Sequence, residues 1–170
     1  TGLAQERITL DFTFEGQVPV QIRRSGRNNS QGVRYSMAQW FPKLCQYDQH
    51  GWQNNQFVLR EFYGVWGKYD VKLTVPAKLV VGASGDLQNP LEVGHGYEFD
   101  RDTVKMPAPD DQKPQGTKTW HFVAFPVHDF AWVADADYIH RIVKMPASSP
   151  ISPNLTFHVL SKPKYDAVWK

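Results

Sequence analysis

The sequence predicts an all-β fold, built as twisted antiparallel sheets or a saddle-like β-sandwich. Apolar residues recur at every second position in several short runs, which is the pattern of strands with one buried face. Glycine and proline, 12 residues each, fall largely between these runs and favour turns there. No window carries a sustained apolar repeat of about 3.6 residues, so we expect less than about a tenth of the chain in α-helix.

The predicted strands follow one another along the whole chain. Residues 8–14 (ITLDFTF) alternate apolar and polar side chains, and residues 18–22 repeat the alternation. Residues 69–75 do the same, and Pro76 ends that strand because proline has no N–H for the ladder. A polar, proline-rich stretch at 107–118 predicts an exposed loop. Further strands are predicted at residues 79–84, 97–101, 119–125, 139–144 and 155–160.

Length and charge limit the possible functions. A chain of 170 residues suits a single domain, residues 1–170, with a core of its own. Its net charge of +2 lacks the basic excess with which nucleic-acid binders displace counterions, so no nucleic-acid partner is expected. No apolar run approaches the roughly 18–20 residues that span a bilayer. The chain opens on Thr1 without a signal peptide, so we expect a trimmed or mature fragment.

No catalytic group of residues is recognisable in the sequence. Cys45 is the only cysteine, which excludes an internal disulfide and a cysteine-based metal site and predicts a buried, inert thiol. The pairs Asp110–Asp111 and Asp135/Asp137 are either cation ligands or solvated turn carboxylates. No serine lies in a G-x-S-x-G elbow. Structural or surface roles are predicted for the six histidines, which form no H-E-x-x-H motif: His50, His95, His121, His128, His140 and His158.

Aromatic residues are unusually frequent, with 6 Trp, 7 Tyr and 10 Phe. They either fill a core and a domain interface or line a sugar-binding platform. The first interpretation predicts that Trp40, Trp52 and Trp66 are buried or lie on one apolar face that meets another domain. The second predicts two or three coplanar rings that face solvent.

Two motifs carry a resemblance to a known family. Residues 35–48 read YSMAQWFPKLCQYD, then GW stands at 51–52 and REFYGVWGKYDVKLTVPAKLVVGASGDLQNP runs to Pro90. Residues 120–135 read WHFVAFPVHDFAWVAD. In this order the motifs resemble the N-terminal β-domain of the gluzincin zinc aminopeptidases, the aminopeptidase N family, in a bacterial branch. The resemblance covers nearly the whole chain, from residue 8 to residue 160.

The resemblance implies a saddle-shaped β-domain without catalytic residues of its own. The family's GxMEN-like motif and its HExxH zinc helix belong to the next domain, expected after residue 170. We therefore expect this chain alone to hydrolyse nothing and to hold no cofactor or metal. Zinc belongs to the parent's catalytic domain, which is the expected partner together with the peptide N-terminus. Export to the periplasm or cell surface of a bacterium is expected for the parent.

The resemblance also implies one contact with the substrate. The family places a Gln or Glu shortly before its Phe-Pro motif, where a side-chain oxygen accepts a hydrogen bond from the substrate's α-ammonium. Gln39 is the candidate for this role and Gln31 is the second candidate. The alternative makes Gln39 a turn residue that bonds the backbone. The Ala-Arg pair usual before the motif is absent, and Cys45 stands three residues after Pro42 instead of directly after it.

The two function hypotheses predict different surfaces. A domain that normally packs on a catalytic domain should expose an apolar patch, because interfaces within one chain bury roughly 600–1,500 Å². We expect this patch from residues 35–66 and 129–138. The alternative function is a free-standing carbohydrate- or protein-binding β-sandwich module.

Overall fold

The structure is a computed structural model that describes residues 8–56, 63–149, 151 and 153–169. It is mostly β, with 40% strand and 8% helix, so the all-β prediction is confirmed. Residues 60–62 of the family-like motif lie outside the described residues. Within the described residues the strands are β1 (Gly26–Arg27), β2 (Tyr35–Met37), β3 (Tyr47–Asp48), β4 (Gly51–Trp52), β5 (Gly67–Pro76), β6 (Val80–Ala83), β7 (Asp86–Leu87), β8 (Thr103–Lys105), β9 (Thr117–Val127), β10 (Trp132–Asp135), β11 (Ile139–Met145) and β12 (Leu155–Ser161).

The helical parts are short. The α-helix α1 (Pro90–Val93) is a single turn that starts at a proline, where the missing N–H costs no intrahelical bond. Two 3₁₀ segments cover Asp110–Gln112 and Pro163–Val168. The first of them lies in the predicted loop, whose residues 107–116 are largely exposed, and β9 begins at Thr117.

The strands of the described residues pair antiparallel in four sheets. The β10 sheet has the order β1-β2-β10-β6, and the β9 sheet has the order β5-β9-β7. The β11 sheet has the order β12-β11-β8, and β3 and β4 form a separate hairpin. The longest pairing joins β5 to β9, with Leu73 opposite Trp120.

The main core lies around the β9 sheet. Alternate residues of β5 and β9 point inward, as their period-two pattern predicts, and Trp120 is 0% exposed. Burying a large apolar side chain stabilises the fold by roughly 1.5–3 kcal/mol, so the aromatic members dominate this core. The core consists of Leu73, Val75, Leu79, Val81, Val93, Trp120, Phe122, Ala124, Phe130 and Ala134.

One glycine lets the chain pass from the β10 sheet to the β9 sheet. Gly85 lies between β6 and β7 with a φ of 81°, in the region that favours glycine. A Cβ atom there would lie 2.3 Å from the carbonyl oxygen of Val123 and 2.6 Å from Cβ of Ala124. Both distances are too short for any side chain. The close approach brings β7 onto β9 directly after β6 has left β10.

Most of the later predicted strands are confirmed. The segments predicted at 69–75, 119–125, 139–144 and 155–160 lie inside β5, β9, β11 and β12. The segment at 79–84 contains β6, and β5 ends at Pro76 as expected.

The first predicted strands are wrong. Residues 8–14 form no strand among the described residues, and Ile8 is 78% exposed. Residues 18–22 make only isolated bridges, from Val20 to Arg27 and from Ile22 to Ser25. A period-two pattern becomes a strand only where a neighbouring strand receives its N–H and C=O groups.

The strand predicted at 97–101 is also wrong. These residues form turns after α1. The hydroxyl of Tyr97 donates to the carbonyl oxygen of Val81 at 2.9 Å, which holds this segment against the edge of β6. In the sequence pattern, a large side chain that packs inward from a turn cannot be distinguished from an inward-facing residue of a strand.

Candidate functional site

The two candidate substrate contacts lie at opposite ends of β2. Gln31 lies in the turn before β2, and Gln39 lies two residues after it. Both residues are exposed, and neither side chain hydrogen-bonds to a described residue. Gln39 has a φ of 53° in the left-handed region, which costs a non-glycine residue roughly 1–2 kcal/mol. The turn therefore depends on the neighbours of Gln39.

Those neighbours are attached to the core. The backbone N–H of Ala38 donates to Oγ of Ser25 at 2.8 Å. The indole N–H of Trp40 donates to the carbonyl oxygen of Phe130 at 3.1 Å. Gln39 thus presents its amide to solvent from a fixed turn, which is the arrangement that a hydrogen bond to an external ligand requires.

Exposed aromatic side chains follow this turn. Tyr47 and Trp52 lie opposite each other in the β3–β4 hairpin, with ring centroids 5.1 Å apart and ring planes at 72°. A bridge between Cys45 and Gly64 brings the start of this region beside its end, where Trp66 is 66% exposed. We call the exposed set the aromatic surface, and it consists of Leu44, Tyr47, Trp52, Tyr63, Val65 and Trp66.

The exposure of these six side chains is what the apolar patch expected from residues 35–66 requires. Soluble monomers rarely expose large contiguous apolar groups unless these bind something. The expectation for residues 129–138 is wrong, because Phe130, Ala134 and Tyr138 are buried. Ala134 belongs to β10, which lies between β2 and β6 and is therefore covered on both edges.

The rings of two histidines and the backbone carbonyl of a third, all far apart in the sequence, meet beside Tyr97. His140 is 1% exposed, and its Nδ1 lies 3.0 Å from the carbonyl oxygen of His95. Its Nε2 lies 2.9 Å from Nδ1 of His158. The Tyr97 ring lies 4.2 Å from the His140 ring and stacks on the His158 ring at 4.9 Å. We call these four residues the histidine cluster.

Hydrogen-bond partners determine the tautomers in the histidine cluster. A carbonyl oxygen only accepts, so Nδ1 of His140 carries a proton and its Nε2 accepts in the neutral ring. Nδ1 of His158 then donates to His140, which leaves Nε2 of His158 as an acceptor. Burial is the main reason that the pKa values of His95, His140 and His158 are lowered, so the neutral rings are favoured.

His158 and Tyr97 also line a cleft of about 1050 Å³. The cleft lies between the β11 sheet and the residues of β6 and β7. Gly82 forms part of its wall, where a Cβ atom would lie 2.6 Å from Cδ1 of Leu160. The remaining lining includes the apolar Leu87, Phe122, Trp132 and Leu155 and the charged Asp86, Glu98, Asp100 and Lys144.

Three members of the two acidic pairs bind lysines in this structure: Asp110, Asp135 and Asp137. Asp135 is 3% exposed, and its Oδ1 lies 2.7 Å from Nζ of Lys162. Nζ of Lys113 lies 2.6 Å from both Asp110 and Asp137. The hydrogen bond from Lys113 is the main reason that the Asp137 pKa is lowered. Asp135 is therefore neither a solvated turn carboxylate nor a cation ligand, because its charge is neutralised inside the protein.

Other chemistry is sparse in the part of the chain that the structure describes. There, no group of three or more His, Cys, Asp or Glu side chains is placed to hold a metal ion. Cys45 is half-buried and not fully buried as predicted, because it lies at the open bridge to Gly64. Among the described helices, none has the length and apolar character needed to cross a membrane.

No protein-family model matches this sequence, and neither a curated protein nor a solved structure matches the chain. The resemblance to the zinc aminopeptidases therefore depends on residues 35–90 and 120–135 themselves.

The histidine cluster and the cleft were not predicted from the sequence. A signal existed for one pair, because His140 and His158 lie in two predicted neighbouring strands that a hairpin would place side by side. No local pattern connects His95 or Tyr97 to them. Their approach depends on the turns after α1, of which the sequence predicts residues 97–101 as a strand.

Proposed function

We propose that this chain is the non-catalytic N-terminal β-domain of a zinc aminopeptidase, which packs on the catalytic domain and helps to close the substrate cavity. The observation that carries the proposal is the aromatic surface. It begins two residues after Pro42 of the family-like motif and occupies the region in which the motif continues. The proposal thus joins the motif to an exposed surface that suits a partner domain.

Physical chemistry supports docking through the aromatic surface. Each large apolar side chain that becomes buried contributes roughly 1.5–3 kcal/mol, and Trp and Tyr dominate the energetics of interfaces. The rings of Tyr47 and Trp52 are held together by their hairpin, so docking orders few further side chains. Gln39 projects from the fixed turn just before this surface and would reach the peptide N-terminus in the closed cavity.

The ring geometry weighs against a carbohydrate-binding module. A sugar platform needs coplanar rings, whereas the Tyr47 and Trp52 planes cross at 72°. We therefore assign the aromatic surface to contact with protein.

The coding sequence that continues beyond residue 170 provides the first test. We expect an H-E-x-x-H motif within about two hundred residues, because two His one helical turn apart bind the catalytic zinc. A continuous reading frame without this motif would overturn the proposal.

The second test measures assembly. The chain and the zinc-containing remainder of the parent, prepared separately, should form a one-to-one complex. Trp66→Ser and Trp52→Ser should weaken that complex by about tenfold or more, as expected for central interface aromatics. Leu91→Ser is the matched control, because Leu91 is an exposed apolar residue of α1 outside the aromatic surface. Equal losses for all three variants would contradict docking through the aromatic surface.

A further inference from the structure

The edge of β6 presents unpaired backbone groups beside the cleft. The backbone N–H of Ser84 donates to the carbonyl oxygen of Ala131 at 2.9 Å. In an antiparallel pair, residues that bond the neighbouring strand alternate with residues whose N–H and C=O point away from it. The backbone N–H and C=O groups of Val81 and Ala83 therefore point away from β10. Tyr97 binds the Val81 carbonyl oxygen from that side. Ala83 lies farther along the same edge and lines the cleft.

The same reasoning applies to β7. The backbone N–H of Gln88 donates to the carbonyl oxygen of His121 at 2.7 Å, so Gln88 bonds to β9. Leu87 precedes it and points its N–H and C=O away from β9. Leu87 also lines the cleft, so the cleft has an open strand edge at two positions, Ala83 and Leu87. Open edges of this kind are templates for an added strand.

The charged residues of the cleft favour a positively charged peptide as the added strand. Three carboxylates and one ammonium line it, which leaves a net charge of −2 with His158 neutral. Lys144 is already paired with Asp100. Glu98 and Asp86 form no ion pair with a described lysine or arginine. Positive charge on a ligand therefore finds partners in the cleft, whereas negative charge does not.

The volume and apolar lining suit the side chains of an extended peptide. A volume of about 1050 Å³ is at the upper end of ordinary small-molecule sites. Trp132, Leu155 and Leu160 give the cleft apolar walls. Alternate residues of a bound strand would meet these walls, because successive side chains of a strand point to opposite faces.

We propose that the cleft binds an extended, positively charged peptide segment, which adds as a strand along Ala83 and Leu87 and places basic side chains beside Asp86 and Glu98. The site is separate from the aromatic surface, and it does not depend on the proposed role in an aminopeptidase. Nε2 of His158 accepts one further hydrogen bond from an N–H group of the peptide.

The test uses the complete chain and a short capped peptide of alternating lysine and valine. Titration followed by amide NMR should shift the signals of Ala83 and Leu87 first. The same peptide N-methylated at alternate residues cannot pair with a strand edge and should bind about tenfold more weakly or worse. A peptide with glutamate in place of lysine should bind similarly weakly, because it meets like charges.

Two variants separate the cleft from general charge attraction. Glu98→Gln should weaken the lysine peptide severalfold and reduce the salt dependence of binding. Asp111→Asn removes one exposed carboxylate outside the cleft and should leave binding unchanged. Equal binding of the N-methylated peptide, or shifted amides outside the cleft, would overturn the proposal. Concentration-dependent shifts of Ala83 and Leu87 without peptide would assign the edge to a second copy of the chain and would also overturn it.

Discussion

Aromatic residues have two different roles in this protein. In the core, Trp120 and Phe130 are enclosed on all sides by β5, β9 and their neighbours. In the aromatic surface, Trp52 and Trp66 have similar chemistry but remain exposed. Residue type alone does not separate the two groups. The difference is whether a sheet of this chain covers the ring, so only the first group should stabilise the chain by itself.

The largest expected effect comes from the core. Trp120→Ala should lower the free energy of unfolding by about 3–5 kcal/mol, because it removes a fully buried ring and leaves a cavity. Trp66→Ala should change it by no more than about 0.5 kcal/mol, as is usual for exposed positions. Urea unfolding of both variants measures the contrast. Similar losses would show that the aromatic surface is part of the fold of this chain.

Buried and exposed ion pairs should also differ in how much they contribute to the free energy of unfolding, by a somewhat smaller amount. Lys162→Ala leaves Asp135 buried without its ion-pair partner, and this should cost about 3 kcal/mol. Lys144→Ala removes an ion pair with the exposed Asp100 and should cost about 0–1 kcal/mol. The same urea experiment compares them. A loss for Lys144→Ala that matched the loss for Lys162→Ala would contradict the ranking.

The exposed residue Gln39 should affect the activity of the proposed parent enzyme, and not the stability of this chain. Gln39→Ala should lower kcat/KM by about ten- to a hundredfold, because a hydrogen bond to a charged group is worth roughly 1.5–3 kcal/mol. Gln39→Glu should keep or improve the binding of a free N-terminus, and acetylated peptides should lose little on mutation. Gln31→Ala is the control from the opposite end of β2. Unchanged kinetics for Gln39→Ala together with a loss for Gln31→Ala would reassign the contact.

The smallest effect concerns the pH dependence of the histidine cluster. Burial lowers the pKa of His140 below its ordinary 6.5, so the unfolded chain takes up this proton first as the pH falls. The contribution of neutral His140 to the stability of the folded chain is complete above the ordinary pKa, and it is lost as the pH falls through the lowered pKa. Melting temperatures between about pH 8 and about pH 5 should therefore fall less steeply for His140→Gln than for the native chain. Parallel curves would remove His140 from the pH response.

Periodicity predicts strand location only when a partner strand is present. Residues 8–14 and 69–75 have the same alternation of apolar and polar residues. Residues 69–75 pair with β9 and become a strand, whereas residues 8–14 have no neighbouring strand among the described residues. The alternation is a property of the segment, but pairing is a property of the whole fold. Later strands were predictable because their partners lie within the described chain.

The candidate sites differ in the same way. The turn at Gln39 and the aromatic surface lie within one local motif, so the sequence could predict both. The buried ion pair of Asp135 depends on Lys162, and the histidine cluster depends on His95, His140 and His158. These contacts join residues from separate strands and turns. The register of the sheets and the turns after α1 determine which of them meet.

The connection through Gly85 affects how the two sheets unfold. Only Ser84 and Gly85 separate β6 from β7, so two residues join an edge strand of the β10 sheet to an edge strand of the β9 sheet. A link of two residues leaves little slack, so we expect the opening of one edge strand to displace the other. Native-state hydrogen exchange should therefore report one cooperative opening for the amides of β6, β10 and the centre of β9.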